Sequence, residues 1–293
     1  VIFNPAAQGG KAQRWVRQLE TLGGECALRP TPAAGMARPL AAAAVQEGFD
    51  VIVAAGGDGT IHEVLNGIAE APDGLARVCL GVIPVGTANA FAREHGLPRD
   101  LRRAWAVVCA GVEARLDVLQ VAYRADGRPR WRVAAQLGGA GVDARAVELV
   151  EWRSKQRWGW ASYVLAGLRA LAHKPPPVTV RGGDQVMSGE QVLIGNGRLY
   201  AGPFVVFPAA SPSDGRLDVC VVPRVRWTTV LGCCWGVATN RLSRVGRARH
   251  FQAEAISLTA PGRVPLELDG EVVGELPATC RVLPGALRLL VPP

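Results

Sequence analysis

The chain has 293 residues, 49% of them hydrophobic and 20% charged, which is enough for one large core or two ordinary ones and too apolar for a disordered polymer. A formal net charge of +8 favours anionic partners such as nucleotides or an acidic membrane surface, and the lack of an aromatic–basic stripe speaks against nucleic acid. Seven scattered cysteines form no C-x-x-C pair, which argues for reduced thiols in a cytosolic protein rather than a disulfide framework or a metal cluster.

Uncharged runs reach only about 15 residues, short of the ~20 a spanning helix needs, and no signal peptide opens the sequence. The expectation is a soluble or peripheral protein. Residues 1–3 read as a buried strand ending at Asn4-Pro5. A loop containing Gln8-Gly-Gly-Lys11 and a helix over 12–22 follow, but the P-loop spacing is not met. Lys11 reads as a phosphate contact or, more plainly, a solvated loop lysine. A second strand is expected around 26–29, then Thr31-Pro32 in a loop and a helix over 38–48 with Pro39 near its start.

Val51-Ile-Val-Ala-Ala-Gly56-Gly57-Asp58-Gly59-Thr60 is a β-branched apolar run ending in glycines, with a helical pattern directly behind it. This predicts a buried strand, a tight turn and a helix N-terminus. Glycine lets backbone approach a ligand closely, and the helix start favours phosphate oxygens. Asp58 would then repel those phosphates unless a cation or proton lies between, so the residues point to a nucleoside triphosphate with Mg²⁺. His62-Glu63-Val-Leu-Asn66 stops one ligand short of the zinc pattern H-E-x-x-H. A strand over 77–85 runs into Pro84-Val-Gly86-Thr87-Ala-Asn89, a second glycine turn before a helix. Alternating strands and helices imply a parallel α/β sheet with both turns at its C-terminal edge.

Past Gly111 the texture turns to short strands joined by Gly, Pro and Asp turns. They are expected at 115–123, 131–136, 191–194, 216–222, 255–258, 264–268 and 287–291, with one helical stretch over 143–173. The expected fold is therefore an α/β N-terminal nucleotide-binding domain plus a mostly-β, sandwich-like C-terminal domain. The boundaries are 1–115 and 116–284, with residues 285–293 candidates to return to the first.

Four ordered motifs, Gly56-Gly-Asp-Gly-Thr60, Pro84-Val-Gly-Thr-Ala-Asn89, Ser213-Asp-Gly-Arg-Leu-Asp218 and Leu268-Asp-Gly-Glu271, resemble the diacylglycerol kinase catalytic family. That lipid kinase family includes sphingosine and ceramide kinases, and the likeness covers nearly the whole chain. The resemblance implies ATP on the α/β side and a lipid hydroxyl entering from the β side. It puts Thr31, Gly56, Gly57, Asp58, Gly59, Thr60, Ile61, His62 and Thr87 at ATP-binding positions, together with Asn4, Gly86 and Asn89. Glu271 matches the proton acceptor, and Asp214 a metal ligand with the carbonyls of Ser211 and Arg216 beside it. Many bacterial members carry Asp directly after the Asn of the second motif. Ala90 stands there in this chain, so a carboxylate counted with the Mg²⁺ network is missing.

Each of these residues has a plainer reading. Asp58 holds Mg²⁺ or caps a helix; Glu271 is a base or an ordinary residue beside an Asp-Gly hairpin turn. Asp117 joins the metal–water network or is a surface carboxylate. Asp214 begins an oxygen-rich turn that suits Mg²⁺ or Ca²⁺. Trp160, Val164, Leu168 and Leu171 share one helical face that reads as core, while the neighbouring Trp and basic residues, and the cluster Arg241, Arg244, Arg247 and Arg249, are candidate contacts to anionic lipid. The sequence thus favours an ATP- and Mg²⁺-dependent lipid kinase working from the cytosol at the inner face of the membrane. Its rivals are an NAD kinase-like soluble kinase and a non-catalytic lipid- or nucleotide-binding regulator.

Overall fold

The computed structural model describes residues 1–5, 12–24, 26–149, 169–172, 175–200, 202–229, 232 and 248–293. Lys11, Trp160, Val164, Leu168, Arg241, Arg244 and Arg247 lie outside them. The chain divides into two compact units. One holds Val1–Val118, Ala201–Pro203 and Pro284–Pro293, the other Leu119–Tyr200 and Phe204–Leu283.

In the first unit β1 (Ile2–Phe3), α1 (Ala12–Gly23), β2 (Arg29–Pro30), α2 (Ala37–Gln46), β3 (Val51–Gly56), α3 (Asp58–Glu70), α4 (Gly74–Arg77), β4 (Cys79–Pro84), α5 (Ala90–Glu94) and α6 (Leu101–Ala110) follow one another. The strands are parallel in the order β4-β3-β1-β2. β3 and β4 are buried almost throughout, as expected for strands covered on both faces. On one face Phe3, Val53, Ala55, Ile83 and Val85 form a core with Trp15 and Leu19 of α1 and Ala104 of α6. Elsewhere α2 and α3 approach so closely that a Cβ on Gly67 would meet the Arg38 carbonyl at 2.1 Å. Glu63 of α3 accepts the Gly35 and Ala37 amides at the start of α2, both at 2.8 Å, satisfying donors a helix leaves open.

Two expected boundaries shift. The second strand pairs at Arg29–Pro30 rather than over 26–29: the Val1 nitrogen donates to the Ala27 carbonyl and the ladder with Val1 begins at the Arg29 amide. The fourth strand starts at Cys79, since Asp73 in the left-handed region (φ 56°) opens the short helix that occupies Arg77. α6 was not anticipated, although Asp100 caps it by accepting the Arg103 amide at 3.0 Å.

The second unit carries most of β5 (Val112–Ala125), then β6 (Arg128–Ala134), β7 (Leu137–Gly141), α7 (Val142–Leu149), β8 (Val178–Gly182), β9 (Gln185–Gly189), β10 (Gln191–Gly195), β11 (Leu199–Tyr200), β12 (Phe204–Val205), β13 (Leu217–Val222), β14 (Arg249–Ala253), β15 (Ala255–Thr259), β16 (Pro265–Leu268) and the beginning of β17 (Glu271–Val291). One run of strands is ordered β14-β13-β10-β7-β16-β17; another links β9, β8 and β15 to β17. Inward residues of both runs, among them Val192, Ile194, Val219 and Leu266 against Val180, Leu258, Ala278 and Cys280, make one core. This is the sandwich-like arrangement expected. The last residues of β17 leave it and lie parallel to β4, Arg288 beside Cys79. Of the helix expected over 143–173, α7 and helical residues 169–172 are described, and Leu171 packs with Val142 and Ala146.

Candidate active site

The register of the parallel strands brings one set of candidates to a single edge. Phe3 stands level with Pro30 and Ala55, and Gly56 with Pro84. Asn4, Thr31, Gly57 and Val85 therefore each follow the carboxyl end of a neighbouring strand. Backbone bonds extend the ladder through them, from the Asn4 amide to Ala55 at 3.3 Å, Thr31 to Phe3 at 2.8 Å and Val85 to Gly56 at 3.0 Å. Chain order reverses between β1 and β3. Open α/β sheets bind ligands at such a switch point, beyond the carboxyl strand ends.

The two glycine turns touch there. A Cβ on Gly86 would lie 2.4 Å from the Gly57 Cα and 2.7 Å from Asn89 Oδ1, so the contact is backbone on backbone. Thr60 folds back over Gly56, where a Cβ would meet its Oγ1 at 2.3 Å. The first closed bond of α3 runs from Ile61 N–H to the Gly57 carbonyl at 3.1 Å. The positive end of the helix dipole thus falls at Asp58, Gly59 and Thr60, suited to phosphate. The side chains of Ile61 and His62 face the core, His62 beside Asn66 at 3.3 Å; what they can offer at this edge is backbone.

Asp58 accepts the Phe91 amide at 3.2 Å, so its carboxylate caps α5 and ties the first turn to the second. Asn89 sits in the left-handed region (φ 50°) and donates to the Gly86 carbonyl at 2.8 Å. Its enclosed Oδ1 has no hydrogen-bond partner among the described residues. Ala90 is buried and Thr87 exposed.

His95 closes α5, packed against Phe91 with ring centroids 4.6 Å apart and planes tilted by 60°. Burial pushes its pKa down to about 4, below the ordinary 6.5. The unfolded chain therefore takes up the proton first, and stability is lost as pH falls from about 6.5 to about 4, by roughly 3 kcal/mol. Urea midpoints across that window should show this slope in the wild type. His95→Gln should flatten it; an unchanged slope would place the acid sensitivity elsewhere.

Asp117 is not a surface carboxylate. It is 2% exposed, and its Oδ1 accepts the amide of Gly285 at 2.7 Å, whose φ of +58° suits glycine. The surface alternative fails because its partner is remote in sequence.

In the second unit the Asp269-Gly270 turn joins β16 to β17, with φ of 48° and 90° and Leu268 opposite Glu271. Asp269 accepts three consecutive amides, Ala135 at 3.0 Å and Gln136 and Leu137 at 3.0 and 2.9 Å. Charge-assisted bonds of this kind fix a turn firmly. Glu271 leaves it half-buried near Arg132, and its charge offsets part of the burial penalty that lowers the Arg132 pKa. The anchoring role of Asp269 was not read from the sequence; an Asp at a left-handed turn position is its only local sign. Asp214 stands exposed, its Oδ1 accepting the Arg216 amide at 3.0 Å, with Ser211 Oγ 3.4 Å from Ser213 Oγ. No three His, Cys, Asp or Glu side chains converge as a metal site among the described residues.

Residues 1–121 match the family description "Diacylglycerol kinase catalytic domain", and residues 137–291 match "YegS C-terminal NAD kinase beta sandwich-like domain". The chain is 32% identical over 276 residues to the "Probable lipid kinase YegS-like" of Stenotrophomonas maltophilia, covering 88% of this chain and 84% of that one. It is 31% identical over 293 residues to the "Diacylglycerol kinase" of Bacillus subtilis, covering 94% and 90%. A crystal structure of a diacylglycerol kinase from Bacillus anthracis shares the fold, with a TM-score of 0.76 at 23% identity over 100% of this chain and 96% of that one.

Proposed function

Because the chain belongs to the diacylglycerol kinase and YegS-like family of lipid kinases, we propose that it transfers the γ-phosphoryl group of ATP to the hydroxyl of a diacylglycerol-like lipid, working from the cytosol at a membrane surface. What carries the ATP reading is the backbone contact of Gly57 with Gly86 beside the start of α3. Side chains there would block the approach of a triphosphate, and the helix dipole favours its charge.

Phosphoryl transfer asks for positioning and charge neutralisation more than for covalent help. Asn4, Thr31, Thr87, Asn89 and the amides of the two turns bind and orient the nucleotide. The half-exposed carboxylate of Asp58 fits a hard divalent cation, and Mg²⁺ bound there would neutralise charge on the phosphate oxygens. Asp117 holds the Gly285 segment and completes the acidic set of the first unit. Glu271 accepts the proton of the attacking lipid hydroxyl. The Ser211–Arg216 turn, with the Asp214 carboxylate and the Ser211 and Arg216 carbonyls, has the oxygen chemistry of a structural Mg²⁺ or Ca²⁺ site.

No helix among the described residues is long and apolar enough to cross a membrane. Membrane contact is supported by Trp227, 64% exposed and preceded in the chain by exposed Arg224 and Arg226. An apolar ring close to cations suits an anionic lipid interface.

The test is transfer of labelled phosphate from ATP with Mg²⁺ to diacylglycerol, monoacylglycerol, phosphatidylglycerol, ceramide and sphingosine in mixed micelles, with NAD as a soluble acceptor. Labelled diacylglycerol is the expected product. Label on another lipid would move the acceptor, and label on NAD would overturn the lipid reading.

A further inference from the structure

Beneath the turn that carries Glu271 lie two acidic side chains that no step above uses. Glu267, on β16, is 1% exposed. Its Oε1 accepts the Gly270 amide in a short hydrogen bond, so it holds the Asp-Gly-Glu turn from below. Its Oε2 is enclosed without a hydrogen-bond partner among the described residues, and the same is true of Asp143 Oδ2. The two are brought together by the fold. Glu267 is paired across the ladder with Gly139 of β7, and β7 passes directly into α7, which packs on β16 with Asp143 in its first turn.

Glycines make that approach possible. A Cβ on Gly138 would lie 2.8 Å from the Leu268 side chain, and one on Gly141 only 2.3 Å from the Glu190 carbonyl. Gln191 of β10 fixes the start of α7 by accepting the Asp143 amide at 2.6 Å.

Among the described residues, the charged and titratable groups around the pair offer no cation. Glu267 feels Asp143 from α7 and Asp269 and Glu271 from the turn, all acidic; Asp143 receives a hydrogen bond from the Tyr200 hydroxyl of β11. Two carboxylates enclosed in this way cannot both stay ionised without a counter-ion. A proton is the smallest ion that satisfies both unpartnered oxygens at once.

We propose that Asp143 and Glu267 share one proton, and that Glu267 is thereby a positioning residue for Glu271: its Oε2 is bridged to Asp143 while its Oε1 holds the Gly270 amide. The positioning role rests on Glu271 being the proton acceptor; the shared proton does not. Burial pushes both groups above the ordinary carboxylate range, and at Glu267 the neighbouring negative charges add to it and carry it well above. An acid whose folded pKa is raised is relatively most favourable below its unfolded value. Its contribution to stability then falls as pH rises from about 4.5 towards the folded pKa.

The experiment compares Glu267→Gln, Glu267→Ala and Glu271→Gln in the full-length protein. Glutamine reproduces a protonated Glu267, with Oε1 for the Gly270 amide and an N–H for Asp143. Glu267→Gln should therefore keep kcat near neutral pH within about threefold and remove the wild-type loss of activity and thermal midpoint on the alkaline side. Glu267→Ala removes the acceptor for Gly270, and kcat should fall about 10²-fold with little change in KM for ATP. Infrared difference spectra provide a readout independent of catalysis, a protonated-carboxyl band at neutral pH that is lost in both Glu267 variants. Absence of that band, or equal damage from glutamine and alanine, would overturn the shared proton. A fully active Glu271→Gln would overturn the positioning role, while the infrared band would still decide the proton.

Discussion

Glu271→Gln is expected to lower kcat for lipid phosphorylation by about 10²–10⁴-fold and leave KM for ATP within about twofold. The amide keeps the size of the side chain and its place at the start of β17 opposite Leu268 but cannot take up the proton of the attacking hydroxyl. The turn beside it is held by Asp269 through the amides of Ala135, Gln136 and Leu137, so little of the loss should come from unfolding. Steady-state kinetics with circular dichroism on the same preparation would check this. A variant that kept most of its kcat would remove Glu271 from the chemistry and return it to the role of an ordinary hairpin residue.

Gly86→Ala should be as damaging for a different reason. Its methyl group would stand 2.4 Å from the Gly57 Cα and 2.7 Å from Asn89 Oδ1. The first of these is backbone and cannot rotate away, so the two turns must separate. Overpacking of this kind costs about 1–3 kcal/mol, and a shift of the phosphate-binding amides by about 1 Å can cost 10²-fold in rate. Gly57→Ala is the internal control, because its Cβ would lie 3.3 Å from the Gly86 Cα in an extended conformation (φ −91°, ψ −172°) that alanine adopts readily. The denaturant midpoint should change far more for Gly86→Ala than for Gly57→Ala, while KM for ATP should rise in both. Equal midpoints would show that the contact between the turns is not what Gly86 protects.

The glycine turns were legible in the sequence because their signal is local. A β-branched run, glycines and a capped helix follow one another within a dozen residues, and their order implied the parallel sheet whose edge they share. What stayed hidden depends on partners far along the chain. Asp117 is buried where the amide of Gly285, 168 residues away in the chain, meets it. Asp269 anchors amides of the β6–β7 link, 134 residues away in the chain at Ala135, and Glu267 reads in the sequence as one polar residue in an alternating strand. β7, Leu-Gly-Gly-Ala-Gly, escaped because glycine has low strand propensity. Its glycines are there to let Leu268, Leu193 and the Glu190 carbonyl come close, which no single-strand pattern reveals. α6 carries both of its signals locally, the Asp100 cap and the apolar face of Ala104, Trp105 and Val108.

The long strand β17 begins with Glu271 and ends beside β4, where Arg288 meets Glu113 and the carbonyl of Arg77 at 2.8 and 2.7 Å. The first unit therefore takes the strand beside β4 from residues the ribosome makes after the entire second unit. While translation is under way, β4 waits with one side of its ladder open, a template for any passing strand. Domains ordinarily fold in the order they are synthesised; here the first to emerge must be the last to be sealed. A nascent chain stalled before residue 284 should accordingly be sensitive to protease in its N-terminal half, and the release of the final strand should be the event that protects it.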